Sequence, residues 1–82
     1  MRLTIITPDK LAYDGEVTAV TVPGSAGSFQ ILQDHAPIVS TLEDGNVIIR
    51  DAAGHSTFLI KGGVVEAKDN NITLLAEGIV EE

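Results

Sequence analysis

The chain contains no cysteine, and this absence excludes two common ways of stabilising a small protein. Among its 82 residues there is no thiol to form a disulfide or a thiolate zinc site. Long apolar runs are missing as well, since no segment approaches the roughly 18 consecutive apolar residues that a membrane-spanning helix needs. Met1 leads directly into the alternating stretch Arg2–Ile5, without the apolar core of a signal peptide. We therefore expect a soluble, cytoplasmic protein that folds as one domain over residues 1–82.

Basic residues are also scarce. Five of them stand against twelve carboxylates, so the formal net charge is −7. Nucleic-acid backbones and anionic lipids are bound by clustered Lys and Arg, and direct binding to either is not expected because the five are scattered. The adjacent acidic pairs Glu43–Asp44 and Glu81–Glu82 are interpreted as solvated charge. The acidity is compatible with a basic or neutral polar partner, and equally with a role in solubility alone.

Residues that favour strands are abundant. Ile, Val and Thr together account for 24 of the 82 residues, and β-branched side chains favour strands over helices. Gly, Pro and Asn-Asp turn signals recur about every eight to twelve residues, a spacing typical of a sandwich or barrel. The pattern predicts an all-β fold, a small antiparallel β-sandwich of nine or ten short strands: Leu3–Thr7, Leu11–Tyr13, Glu16–Val22, Ser28–Leu32, Ile38–Leu42, Asn46–Asp51, Ser56–Lys61, Val64–Ala67, Ile72–Ala76 and Ile79–Val80.

Several of these strands are apolar on both faces. Val47–Ile49, Phe58–Ile60, Val64–Val65 and Leu74–Leu75 do not alternate with polar residues, as a strand with one wet face should. A sandwich of this size has one interior, so some of these side chains must point outward. Either strand twist and long turns cover them, or another protein buries part of the outer surface.

The segment Pro23–Pro37 draws attention because it holds two of the three prolines and one of the two histidines. Asp34 and His35, with Ser28 or Ser40 nearby in sequence, resemble the ingredients of nucleophilic catalysis. However, adjacent residues of an extended chain point in opposite directions, so Asp34 is not expected to orient His35. The Gly-x-Ser-x-Gly spacing of a nucleophile elbow is absent as well.

Two other kinds of site are considered and set aside. Gly24 and Gly27 suggest a phosphate-binding loop, but no Gly-Lys-Ser/Thr follows them and no helix is predicted there. His35 and His55 lie about twenty residues apart with no carboxylate at a matching spacing, so they do not predict a metal centre. The sequence therefore predicts no catalytic residue, no metal and no cofactor.

An ordered set of residues along nearly the whole chain carries a family resemblance. The set consists of Tyr13–Val17, Val20–Gly24, Gly27, Ile31–Leu32, His35–Pro37, Leu42, Gly45, Gly62–Glu66 and Ile72–Ala76. In order and spacing these residues resemble the epsilon subunit of the F-type ATP synthase, whose mitochondrial counterpart is called delta. The resemblance implies a ten-stranded β-sandwich in the rotor that binds the gamma subunit and rests on the c-ring. It also implies a non-catalytic role in coupling ion translocation to ATP synthesis.

The resemblance assigns surfaces and a location. It implies that Ala26, Gly27, Ser28 and Phe29 face the c-ring, and that His35 and Ser40 face gamma. The chain is then peripheral, on the cytoplasmic side of the inner or plasma membrane, and reaches the membrane only through the complex. The alternative is a free-standing β-sandwich module that binds a small ligand, which would show no affinity for gamma.

Two departures from the family pattern limit what is carried over. Family members commonly continue into a two-helix C-terminal domain that can inhibit ATP hydrolysis, whereas this chain stops at Glu82. We therefore expect no C-terminal helical hairpin here, and assign neither that inhibition nor ATP binding to these residues. Family members also often have a proline two residues before the histidine. Here Gln33 stands in that place, and a less rigid loop is expected.

Overall fold

The computed structural model describes residues 1–80 and contains eight strands over that range, with no helix. The strands are β1 (Arg2–Ile6), β2 (Leu11–Glu16), β3 (Ala19–Val22), β4 (Phe29–Leu32), β5 (Ile38–Leu42), β6 (Gly45–Asp51), β7 (Gly54–Lys68) and β8 (Asn71–Val80). The all-β prediction is confirmed, and most predicted strands appear within one or two residues of their expected bounds. Because residues 1–80 contain no helix, none of them forms an apolar helix long enough to cross a membrane.

The predicted number of strands differs from the observed number for one physical reason. Ser56–Lys61 and Val64–Ala67 are two parts of the single strand β7, because Gly62 and Gly63 bend the backbone without ending its pairing. Both glycines have positive φ, 49° and 138°, which lets the chain turn sharply at no steric cost. Ile79–Val80 is likewise continuous with β8 and pairs with the first half of β7.

The strands form one hydrogen-bonded sheet in the order β2-β1-β8-β7-β6-β3-β4, with β5 paired to β7. The prediction that all strands are antiparallel is wrong at one place. β1 runs parallel to β8, with Leu3 opposite Ile72 and Ile5 opposite Leu74. Parallel pairing is possible here because β1 and β8 lie near opposite ends of the described chain and are not joined by a hairpin, which would require antiparallel pairing.

Two long strands fold this sheet into two layers. The front layer contains β2, β1, the first part of β8, the second part of β7, and β5. The back layer contains β4, β3, β6, the first part of β7, and the end of β8. β7 and β8 pass from one layer to the other at the Gly62–Gly63 bend, so backbone hydrogen bonds as well as side chains join the layers.

A single apolar core fills the space between the layers. Along β1, Leu3 and Ile5 are fully buried while Thr4 and Ile6 are not, which is the period-two alternation of a strand with one inner face. The same alternation operates in both layers and produces one contiguous cluster: Leu3, Ile5, Val17, Val20, Val22, Ile31, Leu42, Val47, Ile49, Ile60, Val65, Ala67, Ile72, Leu74 and Ala76. The outer faces of both layers are therefore free to carry other side chains.

Candidate interaction surfaces

Apolar side chains remain on the outside of the sandwich, where the double-faced strands predicted them. In the free chain Leu75 is 51% exposed, Ile48 42%, and Leu59 and Val64 38% each. Strand twist and turns therefore do not cover them. Their neighbours in sequence, including Ile49, Ile60 and Leu74, are buried in the core. The alternation explains why half of each apolar run must face outward.

On the front layer the exposed apolar residues form a continuous row across four neighbouring strands. Leu11 pairs with Ile6, Ile6 with Leu75, and Leu75 with Val64. The row continues to Thr41 on β5. We call Leu11, Ile6, Leu75 and Val64 the front apolar row. Side chains opposite one another on adjacent strands are in contact distance, so these four form one patch rather than four separate exposures.

The next outward row of the front layer is polar. It runs from Asp14 through Thr4 and Thr73 to Glu66 on neighbouring strands. Arg2 lies beyond it and donates two hydrogen bonds to Asp14, from Nε at 2.8 Å and Nη2 at 2.6 Å. The bonds from Arg2 lower the pKa of Asp14 and raise the pKa of Arg2. An apolar strip bordered by polar groups has the anatomy of a protein-binding surface.

The outer face of the back layer is less continuous. Ile48 is flanked by threonines on both neighbouring strands, and Leu59 lies between Asn46 and Val80. Over residues 1–80, an exposed apolar run on this face therefore extends over two strands, compared with four on the front. The front layer is the stronger candidate for an interface.

The loop between β3 and β4 contains the predicted ring-facing residues. The Gly27 N–H donates to Gly24 O at 2.9 Å, which closes a tight turn, and Gly27 adopts a φ of 129°. Ala26, Gly27 and Ser28 are exposed, while Phe29 begins β4 and packs against the core. Three of the four predicted residues are therefore accessible on the surface, whereas the partly buried Phe29 side chain anchors the loop to the core.

This turn is fixed to the end of β5. Ser25 N–H donates to Thr41 O at 3.0 Å, and Glu43 N–H donates to Pro23 O at 2.8 Å. Thr41 Oγ1 adds a bond of 2.9 Å to Ser25 Oγ. The turn is therefore held against the strand that borders the front apolar row.

The two residues predicted to face gamma have different environments. His35 is half-buried in the loop between β4 and β5, with Nδ1 2.6 Å from Ala36 O, so Nδ1 carries the proton that is donated to this carbonyl. Ser40 points toward the inner side of β5, alongside Leu42, and its hydroxyl donates to Thr41 O at 3.0 Å. The outward residues of β5 are instead Val39, 70% exposed, and Thr41. Ser40 lies midway between the apolar residues Ile38 and Leu42 in the strand, and this alternation could have placed it inward.

The ingredients of nucleophilic catalysis are not assembled. Asp34 is bonded to Asn70 rather than to His35. Ser28 precedes β4 and His35 follows it, so the two lie at opposite ends of that strand. Within residues 1–80 no group of three His, Cys, Asp or Glu side chains is placed to hold a metal ion. Glu81 and Glu82 lie outside the described residues.

A cavity of about 510 Å³ opens between β2 and the strand ends of the back layer. Ala12, Phe58, Leu59, Ile79 and Val80 supply its apolar lining. Tyr13 packs edge-on against Phe58, with the ring centroids 6.0 Å apart. Ligand sites usually combine an apolar lining with a few converging polar groups. Lys10, Asn46 and Thr57 also border the cavity, but no buried polar side chain within residues 1–80 lacks a partner. The cavity therefore does not single out a ligand.

Comparison with known proteins gives a consistent result. The family described as "ATP synthase, Delta/Epsilon chain, beta-sandwich domain" matches residues 1–82. An ATP synthase epsilon chain of Leptospira interrogans is 43% identical over 77 residues, which is 94% of this chain and 61% of that relative. An epsilon chain of Caulobacter vibrioides is 36% identical over 81 residues, covering 99% of this chain and 94% of the relative.

Solved structures share the fold. A chain of the Euglena gracilis mitochondrial ATP synthase, in an OSCP/F1/c-ring structure, superposes with a TM-score of 0.88 at 22% identity. It is matched over 95% of this chain and 51% of its own length. A chain from the central stalk and c-ring of the Tetrahymena thermophila mitochondrial enzyme gives a TM-score of 0.81 at 23% identity, over 98% and 65% respectively. The present chain thus spans about three fifths of the length of the Leptospira relative and about half of the Euglena chain.

Proposed function

Because this chain belongs to the delta/epsilon family of ATP synthase β-sandwich domains, we propose that it is a non-catalytic subunit of the central stalk. In this role it binds the gamma subunit, rests on the c-ring and helps to couple ion translocation to ATP synthesis. Its place is on the cytoplasmic side of the membrane, which it reaches only through the complex. The observation that carries the proposal is the front apolar row, a surface suited to another protein rather than to a substrate.

The front layer is the face that we assign to gamma. Its four apolar side chains lie side by side, between 37% and 58% exposed, and would lose water contact together on binding. Fully burying a side chain of this kind is worth about 1.5–3 kcal/mol relative to leaving it exposed. Together they form a contiguous apolar patch of the kind that makes up the buried core of an interface. Val39, the most exposed of the large apolar residues, lies on the edge strand of the same layer.

The turn at Ala26–Ser28 is the part that we assign to the c-ring. It is exposed, closed by its own hydrogen bond and fixed to β5. A short, rigid turn without strong charge suits contact with polar loops, since little conformational freedom is lost on docking. His35 lies at the other end of β4 and remains assigned to gamma. Ser40 is less suitable because its side chain faces inward.

One strand offers a matched test of which face binds gamma. Val64 and Leu59 both lie on β7 and are equally exposed, but they stand on the front and back layers respectively. Val64→Asp and Leu59→Asp add the same charge at outward positions, so both variants are expected to fold. A carboxylate buried without a partner costs several kcal/mol. Val64→Asp should therefore weaken binding to purified gamma by at least about 100-fold, while Leu59→Asp should change it less than about threefold.

Size-exclusion chromatography and calorimetric titration with purified gamma measure both effects. If the unmodified chain never co-elutes with gamma, the central-stalk proposal fails and the free-standing ligand module becomes the better interpretation. If Leu59→Asp is the damaging variant, the chain binds gamma through the back layer and our assignment of the face is wrong.

A further inference from the structure

The His35 loop is joined to a distant turn by a reciprocal pair of hydrogen bonds. The Asp34 N–H donates to Asn70 Oδ1 at 2.7 Å, and Asn70 Nδ2 donates to Asp34 Oδ1 at 3.0 Å. The two residues are 36 positions apart, one in the loop between β4 and β5 and the other in the turn between β7 and β8. We call this pair the Asp34–Asn70 clamp.

Both members of the clamp adopt backbone conformations that suit few other residues. Asp34 has a φ of 64° and Asn70 a φ of 61°. Asn and Asp are the non-glycine residues that most readily occupy this left-handed region. Glycine would allow the same backbone but would supply no side chain. The geometry thus uses the two residue types that can combine a left-handed turn with a long-range hydrogen bond.

The clamp ties the loop to the rigid body of the front layer. Asn70 O also accepts the Arg2 N–H at 2.9 Å, which links the turn to β1. A further contact, from the Met1 amino group to Gln33 Oε1 at 3.1 Å, joins the loop to the residue that precedes β1. The bonds of His35 itself are local, to Leu32 O and Ala36 O. The position of His35 relative to the sheet is therefore set by its neighbours, not by its own side chain.

We propose that Asp34 and Asn70 are positioning residues, which hold the His35 loop in the conformation that meets gamma. The inference rests on the proposed function. A loop that is already ordered loses less conformational entropy when it binds, so the clamp raises affinity without touching the partner. On this proposal the clamp also supplies the rigidity that a proline at position 33 would otherwise give.

A set of three variants separates the clamp from charge and from residue identity. Asn70→Asp places two carboxylates opposite each other and breaks the clamp. Combining Asp34→Asn with Asn70→Asp restores the clamp at the original net charge. In this double exchange the donor and acceptor of the side-chain bond are swapped, and the backbone N–H of residue 34 keeps an oxygen acceptor at position 70. Asn71→Asp is the matched control, because it adds the same charge one residue along, where Asn71 bonds to Asp69 O and not to the loop.

We expect Asn70→Asp to weaken gamma binding about tenfold, since the side-chain hydrogen bond is lost and the two facing carboxylates repel each other, which pulls the remaining acceptor away from the Asp34 N–H. The double exchange should return affinity to within about twofold of the unmodified chain, and Asn71→Asp should leave it there. Amide hydrogen exchange, followed by NMR, reports the clamp directly. The Asp34 amide should exchange faster in Asn70→Asp and regain its protection in the double exchange. Asn70→Gly keeps the left-handed backbone and serves as a second disrupting variant, should the paired carboxylates prevent folding.

The outcomes are distinguishable. If the unmodified chain does not bind gamma, the proposed function fails, whatever the exchange data show. If it binds, and a disrupting variant with a fast-exchanging Asp34 amide binds equally well, the positioning role is wrong. Failure of the double exchange to recover affinity while the amide regains protection would overturn it too, because the side chains would then be acting on gamma themselves.

Discussion

Gly63 is the position where a single methyl group should do the most damage to this fold. A Cβ there would collide with the carbonyl oxygen of Leu75 and lie 3.0 Å from the Cα of Ala76 on the paired strand β8. Both obstacles are backbone atoms and cannot rotate away. The φ of 138° also lies in a region that is essentially restricted to glycine. Gly63→Ala therefore combines backbone strain with a steric clash at the bend that joins the two layers.

The magnitude can be built from these two terms. Strain in a sparsely populated region costs about 1–3 kcal/mol, and forcing atoms into a packed site costs about another 1–3 kcal/mol. We expect a loss of about 4 kcal/mol. An 82-residue domain has a total stability of about 4–12 kcal/mol by the usual scaling. The variant should therefore lose a third or more of its stability, or fail to fold at all.

Urea denaturation measures this loss of stability, and variants at two other glycines separate backbone strain from steric clash in the same experiment. Gly27 has a similar φ of 129°, but nothing lies within 4 Å of the position that an added Cβ would occupy, so Gly27→Ala should show strain alone, about 1–3 kcal/mol. Gly78 requires no positive φ, and a Cβ there would be 3.7 Å from the side chain of Lys61. Gly78→Ala should change stability by less than about 0.5 kcal/mol. Equal losses for Gly63→Ala and Gly27→Ala would refute the argument, because the close approach of β7 and β8 would then contribute nothing.

Two further predictions concern the inner and outer surfaces. Tyr13 is the single tyrosine of a chain without tryptophan, and burial raises its pKa, with added contributions from Asp51 and Asp14. Its phenolate absorbance should titrate above the usual value near 10. Because the pKa of Tyr13 is higher in the folded than in the unfolded state, its contribution to stability is present below about pH 10 and is lost as the pH rises through the folded-state pKa. Tyr13→Phe should remove this loss of stability at high pH. A phenolate titration midpoint at or below about pH 10 would contradict the burial argument. Ser28→Trp adds bulk to the exposed turn and should reduce coupling of proton flow to ATP synthesis in reconstituted vesicles, with a melting temperature within about 3 °C of the unmodified chain. If coupling were unchanged although the melting temperature fell sharply, our assignment of the turn to the c-ring would be wrong.

The sequence was most informative where local chemistry decides the structure. Period-two alternation located the strands, and it also required that Leu75 or Leu74 face outward. It could not decide whether Gly62–Gly63 ends a strand or bends it, because both outcomes need the same permissive backbone. Pairing between β1 and β8 depends on residues about 70 positions apart, for which alternation gives no register.

For the candidate surfaces too, features set by neighbouring residues could be predicted, and features set by contacts between distant residues could not. Exposure of Ala26–Ser28 follows from turn residues that are adjacent in the chain, so it was predictable. The bounds of β5 were predicted correctly, and the inward direction of Ser40 follows from its place two residues before the buried Leu42, so alternation within the strand could have indicated it. The Asp34–Asn70 clamp was not found because its two halves are each ordinary turn residues. Only the fold brings them together.

The arrangement of the two proposed interfaces follows from one short strand. Thr41 ends the outward row that contains the front apolar residues, and the same residue binds Ser25 at the base of the exposed turn, through both its carbonyl and its hydroxyl. A surface assigned to gamma and a turn assigned to the c-ring therefore meet at β5, with hydrogen bonds rather than a flexible linker between them. β5 is itself paired to the second part of β7, which is continuous with the back layer. A force applied to the turn would thus pass into the sheet through backbone hydrogen bonds, which is the mechanical property that a subunit placed between the ring and the shaft requires.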